Sequence, residues 1–434
     1  MATNSTWAAL RNPAFRKLWI AAVISGISTV AHDTAATWTM NILTESPFLL
    51  SLMSTVASLS FFLFTLPAGT LADNVDRQKL VCTINVCMAS TALVLAVLGW
   101  LHLLNPYLIL ACVFLLGVGF AANAPAWTSI VRQTVSDAEL PSTAILGSLQ
   151  FSIAGIIGPA LGGFLVLLAG ANLVFALNAA GFLLIVLAIR KSTQRIQPAK
   201  LSSESLSQSF STILRHVRHA PGFQVVLARN FLFAVFISVI PALMPVVGLK
   251  LLHLSASNLG LLFISMATGS VVGAVFIIPW MRARLTPDCL TLIANLLLVL
   301  VYALMAFVRQ MEVFFVVAAL AGVGWTMSAS ELWLATQRAM PGWARGRLNA
   351  TAIMISQGAM AVGGVTWGSA GALVGARYTL LGAAVLFLMS LLLARRLSIN
   401  FAADFEESIS GILSIRVKRE EAASIGLRKE SLTG

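Results

Sequence analysis

Two carboxylates interrupt long apolar runs. Asp33 and Glu331 are the two of the chain's 16 acidic residues that fall well inside such runs. A charged residue at the centre of a membrane-spanning helix costs about 2.5–3.5 kcal/mol on insertion scales, so it is expected to face a cavity or a partner. Low-dielectric surroundings favour the neutral acid. A carboxylate that meets water in turn could therefore load and release a proton. Ser25, Thr29, Asp33, Thr37 and Asn41 recur every four residues, a polar stripe on one slowly drifting helix face. His32 stands beside it, turned by about 100°. Asp33, His32, Thr29 and Thr37 are thus candidates for proton coupling or for lining a cavity. The rival reading of Asp33 is a structural hydrogen bond to a neighbouring helix. Glu331 has Ser328 on its own face and Arg338 two turns later, so a structural ion pair competes with a proton role there. Gln150, Gln357 and Asn123 are further polar candidates inside apolar runs.

Other chemistry finds little support. There is no nucleophile elbow, no Walker loop, no HExxH and no dinucleotide fingerprint. No second His or Cys stands at ligand spacing from His32, so no metal and no cofactor are expected. The chain is read as not an enzyme. Cys82, Cys87, Cys112 and Cys289 form no metal-type pair and read as small apolar residues. Trp19, Trp100, Trp280 and Trp343 fall near interfaces; Trp127, Trp325 and Trp333 lie deeper, for packing or for stacking on a cargo. The Gly-rich stretch holding Gly158, Pro159, Gly162 and Gly163 lies within an apolar run. It suits helix packing rather than phosphate binding.

The elements that must position these residues are membrane helices. The 434-residue chain is 58% hydrophobic and 10% charged, with mean hydropathy +0.90. A soluble domain carries about 25% charged residues. The apolar residues come in long runs without two-residue alternation, which excludes a barrel. Twelve spans can be placed, near 16–43, 48–70, 80–101, 106–131, 143–169, 172–189, 225–249, 258–281, 289–308, 313–337, 349–373 and 378–394. The expected fold is an all-α membrane protein with twelve transmembrane helices in two six-helix bundles. The bundles are 1–189 and 223–396, joined by a cytoplasmic linker at 190–222 and followed by a cytoplasmic tail at 397–434. Linker and tail both carry amphipathic stretches, around Phe210–Val217 and Phe401–Leu413.

Charge fixes the orientation. With the spans alternating, every one of the 28 Lys and Arg residues except Lys250, Arg309 and Arg377 falls on the side of the termini. By the positive-inside rule both termini are cytoplasmic. This bias accounts for the net charge of +12, so no nucleic-acid partner is expected. The halves also echo each other: Pro13-Ala14-Phe15 and Pro221-Gly222-Phe223, Gly117-Val118-Gly119 and Gly322-Val323-Gly324, Gln150 and Gln357. These offsets suggest two repeats related by an axis along the membrane normal.

The segment Gly69-Thr70-Leu71-Ala72-Asp73-Asn74-Val75-Asp76-Arg77-Gln78-Lys79 resembles the loop between the second and third helices of the major facilitator superfamily. Gly158-Pro159-Ala160-Leu161-Gly162-Gly163 resembles the G-P-x-x-G-G motif of its exporter and antiporter branches. Gly346-Arg347-Leu348-Asn349 and Asn12-Pro13-Ala14-Phe15-Arg16 are similar to the branch of the enterobactin exporter and the macrolide efflux proteins. The resemblance covers about residues 10–396. It implies a rocker-switch transporter whose loop carboxylate, Asp73, meets the start of the eleventh helix near Leu348–Ala350, with Arg77 paired to Asp137. Gly69, Asp73, Arg77 and Asp137 would then form a gate. Asn74 and Asp76 depart from the family pattern, and the fourth span carries no Arg of the kind antiporters often hold there. Asp33 is the substitute for proton coupling.

The expectation is a monomeric secondary transporter in the cytoplasmic (inner) membrane of a bacterium. It would export a small organic molecule, a siderophore or a hydrophobic drug-like compound, by proton antiport and alternating access, with the lipid bilayer as its solvent. Import of a small metabolite by proton symport is the alternative; a membrane receptor or enzyme is more remote. The latter readings would call for a soluble domain or for a constellation of polar residues across spans.

Overall fold

The computed structural model describes residues 7–191, 220–340 and 345–394. All regular structure among them is helical. The first half holds α1 (Pro13–Leu43), α2 (Pro47–Asn74), α3 (Arg77–Trp100), α4 (Pro106–Thr134), α5 (Leu140–Ala169) and α6 (Ala171–Arg190). The second half begins with α7, built from segments Pro221–Ile237, Val239–Val246 and Val247–Leu251. There follow α8, in segments Ala256–Val272, Gly273–Ile277 and Ile278–Arg282, then α9 (Pro287–Phe307) and α10 (Met311–Arg338). The last two are α11 (Arg345–Val374) and α12 (Ala376–Ala394). Eleven described helices are long and apolar enough to cross a membrane; the twelfth has a shorter apolar run, Ala376–Leu392.

Local sequence sets the helix starts. Four helices open on a capping residue followed by proline: Asn12-Pro13, Ser46-Pro47, Asn105-Pro106 and Thr286-Pro287. The side chain takes up orphan N–H groups, and proline at the first position needs no donor. Asn12 does more. Its Oδ1 accepts from Ala14 N at 3.0 Å, while its Nδ2 donates to the Thr134 carbonyl at 2.7 Å, tying the start of α1 to the end of α4. α7 and α8 each include a π-helical turn, at Val247–Leu251 and Gly273–Ile277. Pro245 and Pro279 lie beside these turns and remove backbone donors.

The helices pack as a repeat. In the first half α1 packs on α5, α2 on α4 and α3 on α6; in the second α7 packs on α11, α8 on α10 and α9 on α12. Each pairing maps onto another when six is added to the helix number. The halves meet through α2 on α11 and α5 on α8, which exchange under the same rule. The echoed motifs occupy matching places. Phe15 and Phe223 are both buried, and Gly117 lies against Ser60 of α2 as Gly322 lies against Met266 of α8. The second half has an aromatic core: Phe236 stacks on Phe387 at 4.7 Å, and the Tyr302 hydroxyl donates to the Phe236 carbonyl at 2.8 Å.

Candidate functional site

A cavity of about 280 Å³ lies where α1, α5 and α8 meet. Asp33, Thr34 and Thr37 come from α1, Gly155 and Pro159 from α5, and Phe263, Met266 and Ser270 from α8. Both halves therefore contribute walls. Asp33 is exposed within a helix whose neighbouring positions, His32 and Thr34 to Thr37, are buried. Among the described residues no side chain reaches its carboxylate; only its backbone carbonyl is engaged, accepting from Thr37 Oγ1 at 2.8 Å. Among the described residues no Lys or Arg lines the cavity. The site is a largely apolar chamber with one carboxylate and a few hydroxyls, able to hold a proton or to accept hydrogen bonds from a cargo.

Glycine makes the walls meet. A Cβ on Gly163 would meet the Ala256 carbonyl oxygen at 2.6 Å, and one on Gly260 would meet that of Pro159 at 2.4 Å. Gly158 and Gly162 instead face α1, against Val30 and Ala31. On the other side of the bundle axis, Gly364 and Gly368 of α11 lie against Thr55 and Ser51 of α2. These contacts gather toward the end of the molecule that carries the α1–α2 turn, and they seal the two halves together there.

The remaining polar residues are placed as follows. Thr29 turns to α6, its hydroxyl donating to Asn178 Oδ1 at 3.2 Å. A step of four residues advances a helix face by about 40°, so Thr29 and Asp33 point to different neighbours. His32 is buried against Phe175, ring centroids 4.8 Å apart, and neither ring nitrogen has a partner among the described residues. Gln150 donates to the Ala22 carbonyl at 3.3 Å, and Asn123 accepts from Asn85 at 3.3 Å, both within the first half. Gln357 is half-buried and outside the cavity lining. Glu331 is buried and accepts from Arg282 Nε at 2.6 Å. Its partner comes from α8, and Arg338 is exposed. The ion-pair reading accounts for Glu331 in this structure.

The segment expected as a loop is helical as far as Asn74, so Gly69 and Asp73 belong to α2 and only Val75 and Asp76 separate α2 from α3; Gly69 has open space where a Cβ would stand. Asp76 is the N-cap of α3, accepting from Gln78 N and Lys79 N, and Arg77 begins the helix. The side chains of Asp73 and Asp137, the linker, the tail and Trp343 lie outside the described residues. So does the side chain of Arg347, whereas Asn349 accepts from Gln337 at 3.1 Å. Trp100 and Trp280 are exposed, the latter with the Arg284 guanidinium 4.3 Å from its ring centroid. Trp19 donates to the Leu146 carbonyl at 2.9 Å.

Three polar contacts are absent from the sequence reading. Arg229 of α7 is buried and pairs with Asp288, while its second amino group reaches Thr291 at 2.9 Å. Ser328 donates to Asn295 at 2.6 Å. Lys250, one of three basic residues on the minority side, reaches across to α1 and the α1–α2 turn. A Lys or Arg near a span end reads first as a topology marker, and its helix-capping use depends on which helix lies opposite.

Comparison with known proteins gives a consistent picture. A family profile described as transmembrane secretion effector matches residues 4–414. A protein named enterobactin exporter EntS from Citrobacter koseri is 26% identical over 270 residues, 61% of this chain and 63% of that protein. Its counterpart from Shigella flexneri is 25% identical over 271 residues, with 61% and 62% covered. The match thus spans just under two thirds of these relatives. Among solved structures, the nucleoside transporter NupG superposes with TM-score 0.71 at 13% identity, covering 88% of this chain and 98% of that one. A bacterial homologue of the human lysosomal transporter Spinster, inward-facing and unoccupied, superposes with TM-score 0.68 at 14% identity, with 91% and 97% covered.

Proposed function

The chain belongs to the transmembrane secretion effector family, a membrane transporter of the major facilitator fold, and from that premise we propose that it exports a small organic molecule from the cytoplasm by proton antiport. The observation that carries the coupling is the Asp33 carboxylate, standing in the cavity shared by both halves with no side-chain partner among the described residues. A proton and a cargo that both seek this group would exclude one another there, which is what antiport needs. Export direction is supported by the family and by the name of the two relatives. A siderophore is the first cargo to try, after the name of the two relatives; drug-like apolar compounds come second.

The bundles 1–189 and 223–396 are the two bodies that rock. The charge bias assigns the charge-rich end, with both termini, to the cytoplasm of a bacterial inner membrane. On that assignment the sealed end faces outward. The gate on the cytoplasmic side is the α2–α3 junction, with Asp73 at the end of α2 meeting the positive start of α11 and Arg77 joined to Asp137. The protein works as a monomer.

The test is transport in everted membrane vesicles from cells producing the protein. An inward-acid gradient should drive uptake of the exported compound, and collapsing that gradient should abolish it. Uptake that persists without the gradient would overturn proton coupling. Accumulation in intact producing cells, rather than depletion, would overturn export.

A further inference from the structure

We propose that Lys250 is the outer latch of the transport cycle, a cation that caps the C-terminus of α1 across the boundary between the two halves. This inference rests on the alternating-access reading above.

Lys250 lies in the π-helical turn Val247–Leu251 at the end of α7. Its Nζ donates to the Asn41 carbonyl at 3.3 Å, to the Thr44 carbonyl at 2.9 Å and to Glu45 Oε2 at 3.3 Å. α1 ends at Leu43 with Thr44 as its cap. The last carbonyls of a helix have no intrahelical donor and carry the negative end of its dipole. An ammonium group satisfies both needs. Its own side chain is only 16% exposed, whereas Glu45 is 97% exposed. The Glu45 contact is therefore a screened surface pair of little energy, and the backbone carbonyls are the substantive partners.

The location gives the contact its role. α1 belongs to one half and α7 to the other. The contact joins them at the end where Gly163 meets Ala256 and Gly368 meets Ser51. Opening that end parts Lys250 from α1, so all three bonds break together and return on closure. Glycine contacts contribute apolar packing that can roll. Lys250 contributes a directional contact that is made or lost, and it favours the closed end.

The experiment measures the distance between spin labels at Ile42→Cys and Leu251→Cys, exposed positions flanking the latch. The full chain is used in lipid nanodiscs, without cargo, with the four native cysteines replaced by Ser or Ala. One short distance should dominate. Lys250→Met and Lys250→Gln should each raise the ratio of long to short populations about fivefold, as expected when charge-assisted hydrogen bonds are lost from one state only. Lys250→Arg should hold the short distance and Glu45→Gln should leave the distribution unchanged. Reading two neutral variants guards against loss of fold in either, checked by size exclusion. An unchanged distribution in whichever neutral variant folds would overturn the latch, as would an opening caused by Glu45→Gln alone. No cargo or gradient is involved, so failure here is distinct from failure of proton-driven export.

Discussion

Arg282 donates through Nε to Glu331 at 2.6 Å, and the two partners differ sharply in exposure, 43% against 2%. That asymmetry makes the pair unequal to mutation. Arg282→Ala strands a buried carboxylate and should cost about 3–5 kcal/mol. Glu331→Gln keeps an acceptor and leaves an arginine that can reach water, so it should cost much less. Thermal unfolding of the solubilised protein ranks the two. Equal losses would show that Glu331 draws nothing from Arg282.

Gly260 is pressed on the Pro159 carbonyl so closely that a Cβ would stand 2.4 Å from the oxygen. Gly260→Val should force α5 and α8 apart and destabilise the protein by about 1–3 kcal/mol, the usual range for overpacking. A fall in melting temperature together with slower transport is expected. Gly382, where a Cβ meets nothing within 4 Å, is the control: its alanine variant should melt as the parent does.

Asp33→Asn keeps the size of the side chain and removes its titration. Gradient-driven efflux should fall at least about tenfold, the scale expected when a positioned proton carrier is removed, while the protein still reaches the membrane. Vesicle uptake with and without a pH gradient reads the effect. Undiminished gradient-driven flux in the variant would remove Asp33 from the coupling.

Asp76 accepts from Gln78 N at 2.9 Å and from Lys79 N at 3.3 Å. Asp76→Ala should cost about 1 kcal/mol through the lost cap, with cargo preference unaltered. Asp76→Asn and Asp76→Ser should recover most of that stability. A variant whose cargo ratios change would mean that Asp76 acts on the gate rather than on α3.

Much of this was legible in the sequence because membrane helices state their own length. Each expected span lies close to a helix, and the cap-proline pairs sharpen several boundaries. Asp33 stands out in the sequence as a lone carboxylate in an apolar run, and it lies on the cavity wall. The stripe around it was only half legible. A four-residue repeat drifts around the helix, so Thr29 meets Asn178 while Thr37 lines the cavity, and no single sequence says where the neighbours begin. Arg229 with Asp288 and Arg282 with Glu331 were hidden for the same reason: their partners sit on other helices.

The acceptors of Lys250 on α1 are main-chain oxygens. Any residue that keeps the backbone course at position 41, in the last turn of α1, and at position 44, its extended cap, supplies them equally well. Substitutions there need no compensation at 250, and none at 250 can be rescued there by a change of side chain. Correlated variation between α1 and α7, the usual statistical trace of a contact, would therefore be silent at this latch, and its history would be written in one column only.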